Sequence, residues 1–247
     1  MLDRLVCQVI RLGQVDYQQA WDLQNRLADE IANGQRTPTL LLLEHPHTFT
    51  LGRRGHIHNL LWDQDELARR QVKVFWVDRG GDVTYHGPGQ LVGYPLLPLV
   101  NLESLKRDAN QLSKVDYIGY LRKLERVLIE ALADLDLPGC QVREGFTGVW
   151  VPAKDAGQAP AKIASIGVKV DARGVTRHGF ALNIQPDMSY WQGIIGCGLT
   201  HTTMCSLADL LPEVPSRTAA EEAVAAAFSR QFGFCMVEDS LECCNFV

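Results

Sequence analysis

Cys197 stands between two glycines in the run Gly193-Ile194-Ile195-Gly196-Cys197-Gly198-Leu199. Glycine neighbours leave a sulfur unpacked by bulky side chains and set backbone N–H groups beside it, an arrangement suited to a thioester oxyanion. The same residues also suit a small buried cysteine in a tight turn. A thiol of ordinary pKa, near ~8.5, is only slightly ionised at neutral pH, so a nucleophilic cysteine needs a nearby cation to favour the thiolate. Lys162 is a candidate, since it opens an alternating run directly after a Pro/Ala/Gly-rich stretch at 152–161. Taken alone it also fits an edge-strand lysine that discourages aggregation. His86 and His178 are rival partners for the sulfur.

A second concentration of chemistry lies between two apolar runs. The stretch Arg79-Gly80-Gly81-Asp82-Val83-Thr84-Tyr85-His86-Gly87-Pro88-Gly89-Gln90 joins strands expected at Val72–Val77 and Leu91–Leu97. Adjacent glycines allow close approach of backbone N–H groups to a ligand, while Tyr85 and His86 add polar handles. A plain hairpin connection is the alternative, but so much Gly, Arg, Tyr and His in one loop favours a site. The pairs His45/His47 and His56/His58 lack a carboxylate or cysteine spaced to complete a ligand set, so no metal is expected. Neither a Walker A loop nor a G-x-G-x-x-G run is present, and no cofactor is expected.

Local patterns supply the elements that must position these groups. Leu5–Leu12 reads as a strand. Asp16 then reads as the N-cap of a helix with Tyr17, Ala20, Trp21, Leu27, Ala28 and Ile31 on its apolar face, stopped at Gly34. Thr39–Leu43 has the look of a fully buried strand, and Asp116–Asp134 of an amphipathic helix followed by Pro138-Gly139. Gly148–Val151 is a further strand. Lys162–Val170 alternates, turns at Asp171-Ala172-Arg173-Gly174, and returns as His178–Ile184. Thr218 and Glu221 look like a capping box opening a last helix that ends at Gly233, with a tail after about residue 234. Helices interleave with hairpins instead of alternating strictly with strands. The expectation is therefore one α+β domain over residues 1–247, a mixed, largely antiparallel sheet flanked by helices.

Composition narrows the partners. Hydrophobic residues make up 46% and charged residues 21% of 247, which suits a packed core and excludes wholesale disorder. The net charge of −5 argues against non-specific nucleic-acid binding, although Arg53-Arg54, Lys106-Arg107 and Arg122-Lys123 with Arg126 are local basic clusters. No apolar run approaches the ~18 residues of a membrane span, and the early Asp3 and Arg4 do not read as a secretory signal. Seven scattered cysteines without a CxxC suit a reducing, cytoplasmic setting. The Cys243-Cys244 pair fits no motif.

Several blocks in order resemble the lipoyl(octanoyl) transferase family: LEHPHTFTLGRRG at 44–56, RGGDVTYHGPGQ at 79–90, KIASIG at 162–167, HGFALNI at 178–184 and GCGL at 196–199. The resemblance runs from about Val9 to Leu211. It implies the α+β catalytic fold of biotin and lipoate ligases. It also implies octanoyl transfer from octanoyl-acyl carrier protein to a lysine of lipoyl domains, both those of 2-oxoacid dehydrogenase complexes and the glycine cleavage H protein. Cys197 would match the acyl-thioester nucleophile and Lys162 the lysine that lowers its pKa. Arg79, Gly80, Gly81, Asp82, Val83, Thr84, Tyr85 and His86 would line the acyl site, with Ser165, Ile166, Gly167, Gly179, Phe180 and Ala181. Two other functions fit less well. An ATP-dependent lipoate–protein ligase resembles its kin in a triple glycine and a His-Asp, where this chain has only Gly80-Gly81 and follows His86 with Gly87. A non-catalytic binder would not need both Cys197 and Lys162.

Overall fold

The computed structural model describes residues 5–99, 115–153, 155, 158–196 and 203–239. Cys197, Lys106-Arg107 and Cys243-Cys244 lie outside them. Strand β1 (Val6–Gln14) and strand β2 (Thr39–Glu44) run parallel, joined by helix α1 (Tyr17–Ala32). The Asp16 carboxylate caps α1 by accepting the Gln18 N–H at 2.9 Å. Ala20, Leu23, Leu27, Ala28 and Ile31 recur at helical spacing and pack on Ile10, Leu41, Leu43 and Val92. Leu40 and Leu42, pointing the other way along β2, meet Leu124 and Leu128 of α3 (Tyr117–Asp134) and Val224 and Phe228 of α4 (Arg217–Phe232). The apolar run of β2 is thus buried on both faces, which is why it does not alternate with polar residues.

Around these strands the principal sheet orders as β11-β1-β2-β6-β10-β9-β8-β7. Its other strands are β6 (Gln90–Leu96), β7 (Gln141–Arg143), β8 (Phe146–Val151), β9 (Ala161–Val170), β10 (Thr176–Asn183) and β11 (Cys235–Glu238). Only β11 with β1 and β1 with β2 are parallel, so the sheet is mixed and largely antiparallel, as the sequence leads one to expect. The β9–β10 hairpin turns where Asp171-Ala172-Arg173-Gly174 predicts. The Asp171 carboxylate accepts the N–H groups of Arg173 (2.8 Å) and Val175 (3.0 Å), and Gly174 takes φ +79°.

Three expectations need correction. The stretch 79–90 is not one connecting loop, because Val83–His86 forms strand β5 of a second sheet ordered β4-β3-β5, with β3 at Thr48–Leu51 and β4 at Lys73–Trp76. A short α2 (Gln64–Arg69) precedes β4. Helix α4 is capped two residues before Thr218: Ser216 Oγ accepts the Ala219 N–H at 3.1 Å, and buried Glu221 is taken by Arg217 (2.7 Å) and Arg11 (3.2 Å). The tail contributes edge strand β11, which pairs with the start of β1. Among the described residues no helix is long and apolar enough to cross a membrane.

Candidate functional site

The second sheet lies against the first through the backbone of 79–82. Arg53 and Arg54 N–H groups donate to the carbonyls of Arg79 (2.9 Å) and Gly81 (3.1 Å), Gly52 N–H donates to Asp82 O (3.1 Å), and Gly80 N–H donates to Val168 O (2.9 Å) of β9. Gly52 must lack a side chain, because a Cβ there would sit 2.5 Å from Gly81 O. The buried Arg79 guanidinium donates to Thr50 O at 2.6 Å and Oγ1 at 2.8 Å, and to Gly80 O at 3.0 Å, which ties its own loop to β3. The Asp82 carboxylate accepts the N–H of Val83 (2.7 Å) and of His56 (3.2 Å) and the Asn59 amide, and so braces the turn after β3. The blocks at 44–56 and 79–90 are therefore one folded unit.

A narrow cavity of about 50 Å³ opens between this unit and the β9–β10 hairpin. Of the residues named from the sequence, Arg79, Gly80, Gly81, Asp82, Val83, Thr84 and His86 line it, as do Ser165, Ile166, Gly167, Gly179, Phe180 and Ala181. Tyr85 does not. Alternation along β5 sends it to the opposite face, where it is buried with Phe49 and Leu51, stacks on Tyr190 and bonds His47 Nδ1 at 2.9 Å. Three cavity walls were not foreseen. Tyr17 was read only as part of an apolar helix face, Tyr94 was not singled out, and His178 was considered only as a partner for the sulfur. Only Tyr94 carries a sequence signal, a polar aromatic within the buried apolar run of β6.

Behind the cavity lies a buried polar network. His45 Nδ1 is 2.7 Å from Val15 O, which can only accept, so the proton is on Nδ1 and Nε2 accepts from Tyr94 Oη at 2.7 Å. Burial lowers the His45 pKa to about 4 and raises that of Tyr17 to about 12, so both groups are neutral at pH 7. His178 adopts φ +57°, unusual for a non-glycine residue within a strand. Its N–H donates to Gln24 Oε1 (2.8 Å), and its Nε2 is 2.7 Å from Asp78 Oδ1. Burial lowers the His178 pKa, while the bonds from His178 and Lys169 hold the Asp78 carboxyl well below the usual range. Of the histidines considered for a metal, His45 and His47 are held by these other partners, and His56 and His58 are exposed.

Gly80, Gly81, Asp82, Ile166 and Gly167 also border a wider cleft of about 510 Å³, so cavity and cleft are contiguous. Lys162 lies in the cleft wall, 3% exposed, with Nζ 5.4 Å from the centre of the Trp150 ring. Gly148 makes room for it: a Cβ there would sit 2.5 Å from Lys162 Cε, and φ at Gly148 is +123°. The Lys162 N–H donates to Thr203 O (2.8 Å) and its carbonyl accepts from Cys205 N–H (3.0 Å), pinning it to the strand-like 203–205 segment. Exposed Arg54 and His56 also border the cleft.

An α+β sheet with this strand order and a cavity between two sheet units is the fold of lipoate- and biotin-protein ligases. A bipartite lipoate protein ligase from Thermoplasma acidophilum is similar with a TM-score of 0.72, over 96% of this chain and 88% of that one, at 15% identity. A biotin protein ligase from Aquifex aeolicus gives 0.50 over 92% and 70%, at 12% identity, and both likenesses concern the fold alone. Residues 16–229 match the lipoyl protein ligase A/B catalytic domain, and the chain belongs to that family, among its acyltransferase members. An octanoyltransferase of Koribacter versatilis is 42% identical over 234 residues, 95% of this chain and 86% of the relative. One of Chloroflexus aurantiacus is 44% identical over 221 residues, 90% and 92%.

Proposed function

We propose that the chain transfers an octanoyl group from octanoyl-acyl carrier protein to a lysine of lipoyl domains in the cytoplasm, through a thioester on Cys197. The acceptors are the lipoyl domains of 2-oxoacid dehydrogenase complexes and the glycine cleavage H protein. The observation that carries this reading is the junction of a narrow cavity with a cleft whose wall holds Lys162, itself bonded to the 203–205 segment that follows the Cys197 block.

The Cys197 thiolate attacks the carrier thioester, and collapse of the tetrahedral adduct expels the phosphopantetheine thiol. The cavity takes the acyl tail. An acceptor lysine amine then attacks the Cys197 thioester, an amide C–N bond forms, the C–S bond breaks, and the amine's proton passes to the departing sulfur or to Lys162. Exchange between sulfurs is nearly isoenergetic and amide formation from a thioester runs downhill, so no ATP is needed. Arg54 borders the cleft, and its sequence neighbours Arg53 and Ile57 are exposed, which suits an acidic carrier with an apolar contact.

The test is transfer of octanoyl from its carrier to an apo lipoyl domain without nucleotide. Transfer that disappears in Cys197→Ser is expected. Transfer only with free octanoate and ATP would move the assignment to a ligase.

A further inference from the structure

The block His86-Gly87-Pro88-Gly89-Gln90 contains a feature that cavity lining does not explain. Gln90 N–H donates back to Gly87 O at 3.1 Å, and the turn closes only because both glycines lack side chains. A Cβ at Gly87 would lie 2.0 Å from Tyr85 Oη, and one at Gly89 2.3 Å from Gln185 O. The turn brings the side chains of His86 and Gln90 together, and Gln90 sits directly across from Asn183 in the β6–β10 register. All three are buried, with at most 7% exposure.

The bonds among them have only one consistent direction. Cys205 O can only accept, so the amide group 2.9 Å from it is Asn183 NH₂, and Asn183 Oδ1 faces Gln90. Gln90 must then present its NH₂, which donates to Asn183 Oδ1 at 2.9 Å and to Tyr85 O at 3.2 Å. Gln90 Oε1 is left facing His86 Nδ1 at 2.8 Å, and that nitrogen must carry the proton. At the far end, Cys205 N–H donates to Lys162 O at 3.0 Å. We propose that Gln90 and Asn183 are positioning residues. They lock His86 in the tautomer protonated on Nδ1, leave Nε2 as an acceptor on the cavity side of the ring, and tie that ring to the backbone of Lys162. The functional part of this rests on the octanoyl reading above.

The surroundings keep the ring neutral. Tyr17 of α1 stacks on it at 5.9 Å, and His45 from the β2–β3 connection meets it edge-on at 5.7 Å. Arg79 and His178 act on it electrostatically from the 79–82 segment and from β10. Burial first, then the neighbouring His45, pushes its pKa well below the ordinary value. A neutral histidine side chain in water prefers the proton on Nε2, so the opposite tautomer is imposed by the relay.

The full chain labelled with ¹⁵N-histidine tests this, with the His86 ring assigned by its loss in His86→Gln. The expected spectrum shows the proton on Nδ1 in the wild type and a shift toward Nε2–H in Asn183→Leu. Gln90→Glu is nearly isosteric and covers the case in which Asn183→Leu does not fold. It places a carboxylate on Nδ1–H and deletes both donated bonds. His86 should then protonate at higher pH, the acid limb of the kcat profile should move up with it, and kcat should fall on the order of tenfold with KM for the carrier little changed. A wild-type ring protonated on Nε2, or a tautomer and pH profile unchanged in the variants, would overturn the relay. The spectra need no substrate, so they can fail while octanoyl transfer stands. A wild type that moves no octanoyl would instead sink the functional reading and leave the tautomer intact.

Discussion

The cavity and the cleft share a wall but are built differently. Around the cavity the polar groups are buried and mostly spoken for: His45 between Val15 and Tyr94, Arg79 on Thr50, Gln90 between Tyr85 and Asn183. The cleft is some tenfold larger and borders exposed Arg54 and His56, with Lys162 as its buried charged side chain. A narrow cavity whose polar groups are mostly bonded already suits recognition of one apolar chain, because few of those groups are left to rearrange. An open cleft suits the exchange of two large partners over one reactive centre. Division of labour, with rigidity on one side and access on the other, follows from these two constructions.

Breaking the cleft side should have the largest effect. Lys162→Ala is expected to lower kcat by about 10² to 10⁴ while circular dichroism keeps the fold signal, since the lost group handles charge and protons and not the acyl tail. Next in size is the acid response of the cavity's polar backing. His45 has a folded pKa of about 4, below its unfolded value, so the unfolded chain binds more protons between those two pH values. Stability is therefore full above about pH 6.5 and falls as pH drops toward 4, by roughly 3 kcal/mol from this group at ~1.36 kcal/mol per unit. Urea melts across that range should show the loss, with His86 and His178 adding in the same direction because burial depresses both.

Filling the cavity should alter substrate choice and leave the cleft chemistry alone. Ser165→Leu adds bulk to a half-buried cavity wall. It is expected to slow octanoyl loading about tenfold or more and to shift preference toward shorter acyl groups, read by competition between carriers. A smaller effect is expected at the rim. Arg53→Glu should raise KM for the carrier several-fold at low salt, an effect that fades as salt rises. Tyr85→Phe should do least. It removes the bond to His47 on the far face of β5, costs about 1 kcal/mol in melting experiments and leaves transfer within twofold.

Much of this was legible in the sequence where the signal is local. The Asp16 cap, the α1 stripe, the doubly buried β2 and the β9–β10 turn each depend on residues a few positions apart. All but one of the residues that the family blocks named for the acyl site meet at one cavity. Of the second sheet only β4 was legible, in the run Val72–Val77. Thr48–Leu51 and Val83–His86 are four residues each and pair across more than thirty positions, so neither carries a periodic pattern of its own. Missing β5 is what misassigned Tyr85, whose side of the strand is decided by alternation with Thr84 and His86. Glu221 looked like a cap for the same kind of reason, since its partner Arg11 comes from the other end of the chain.

The most direct test of the account is the intact mass of the protein after incubation with octanoyl-acyl carrier protein in the absence of ATP. One added octanoyl group, absent in Cys197→Ser and discharged by an apo lipoyl domain, is the predicted result. An unmodified chain that nonetheless transfers octanoyl, or an adduct that persists in Cys197→Ser, would contradict the thioester route.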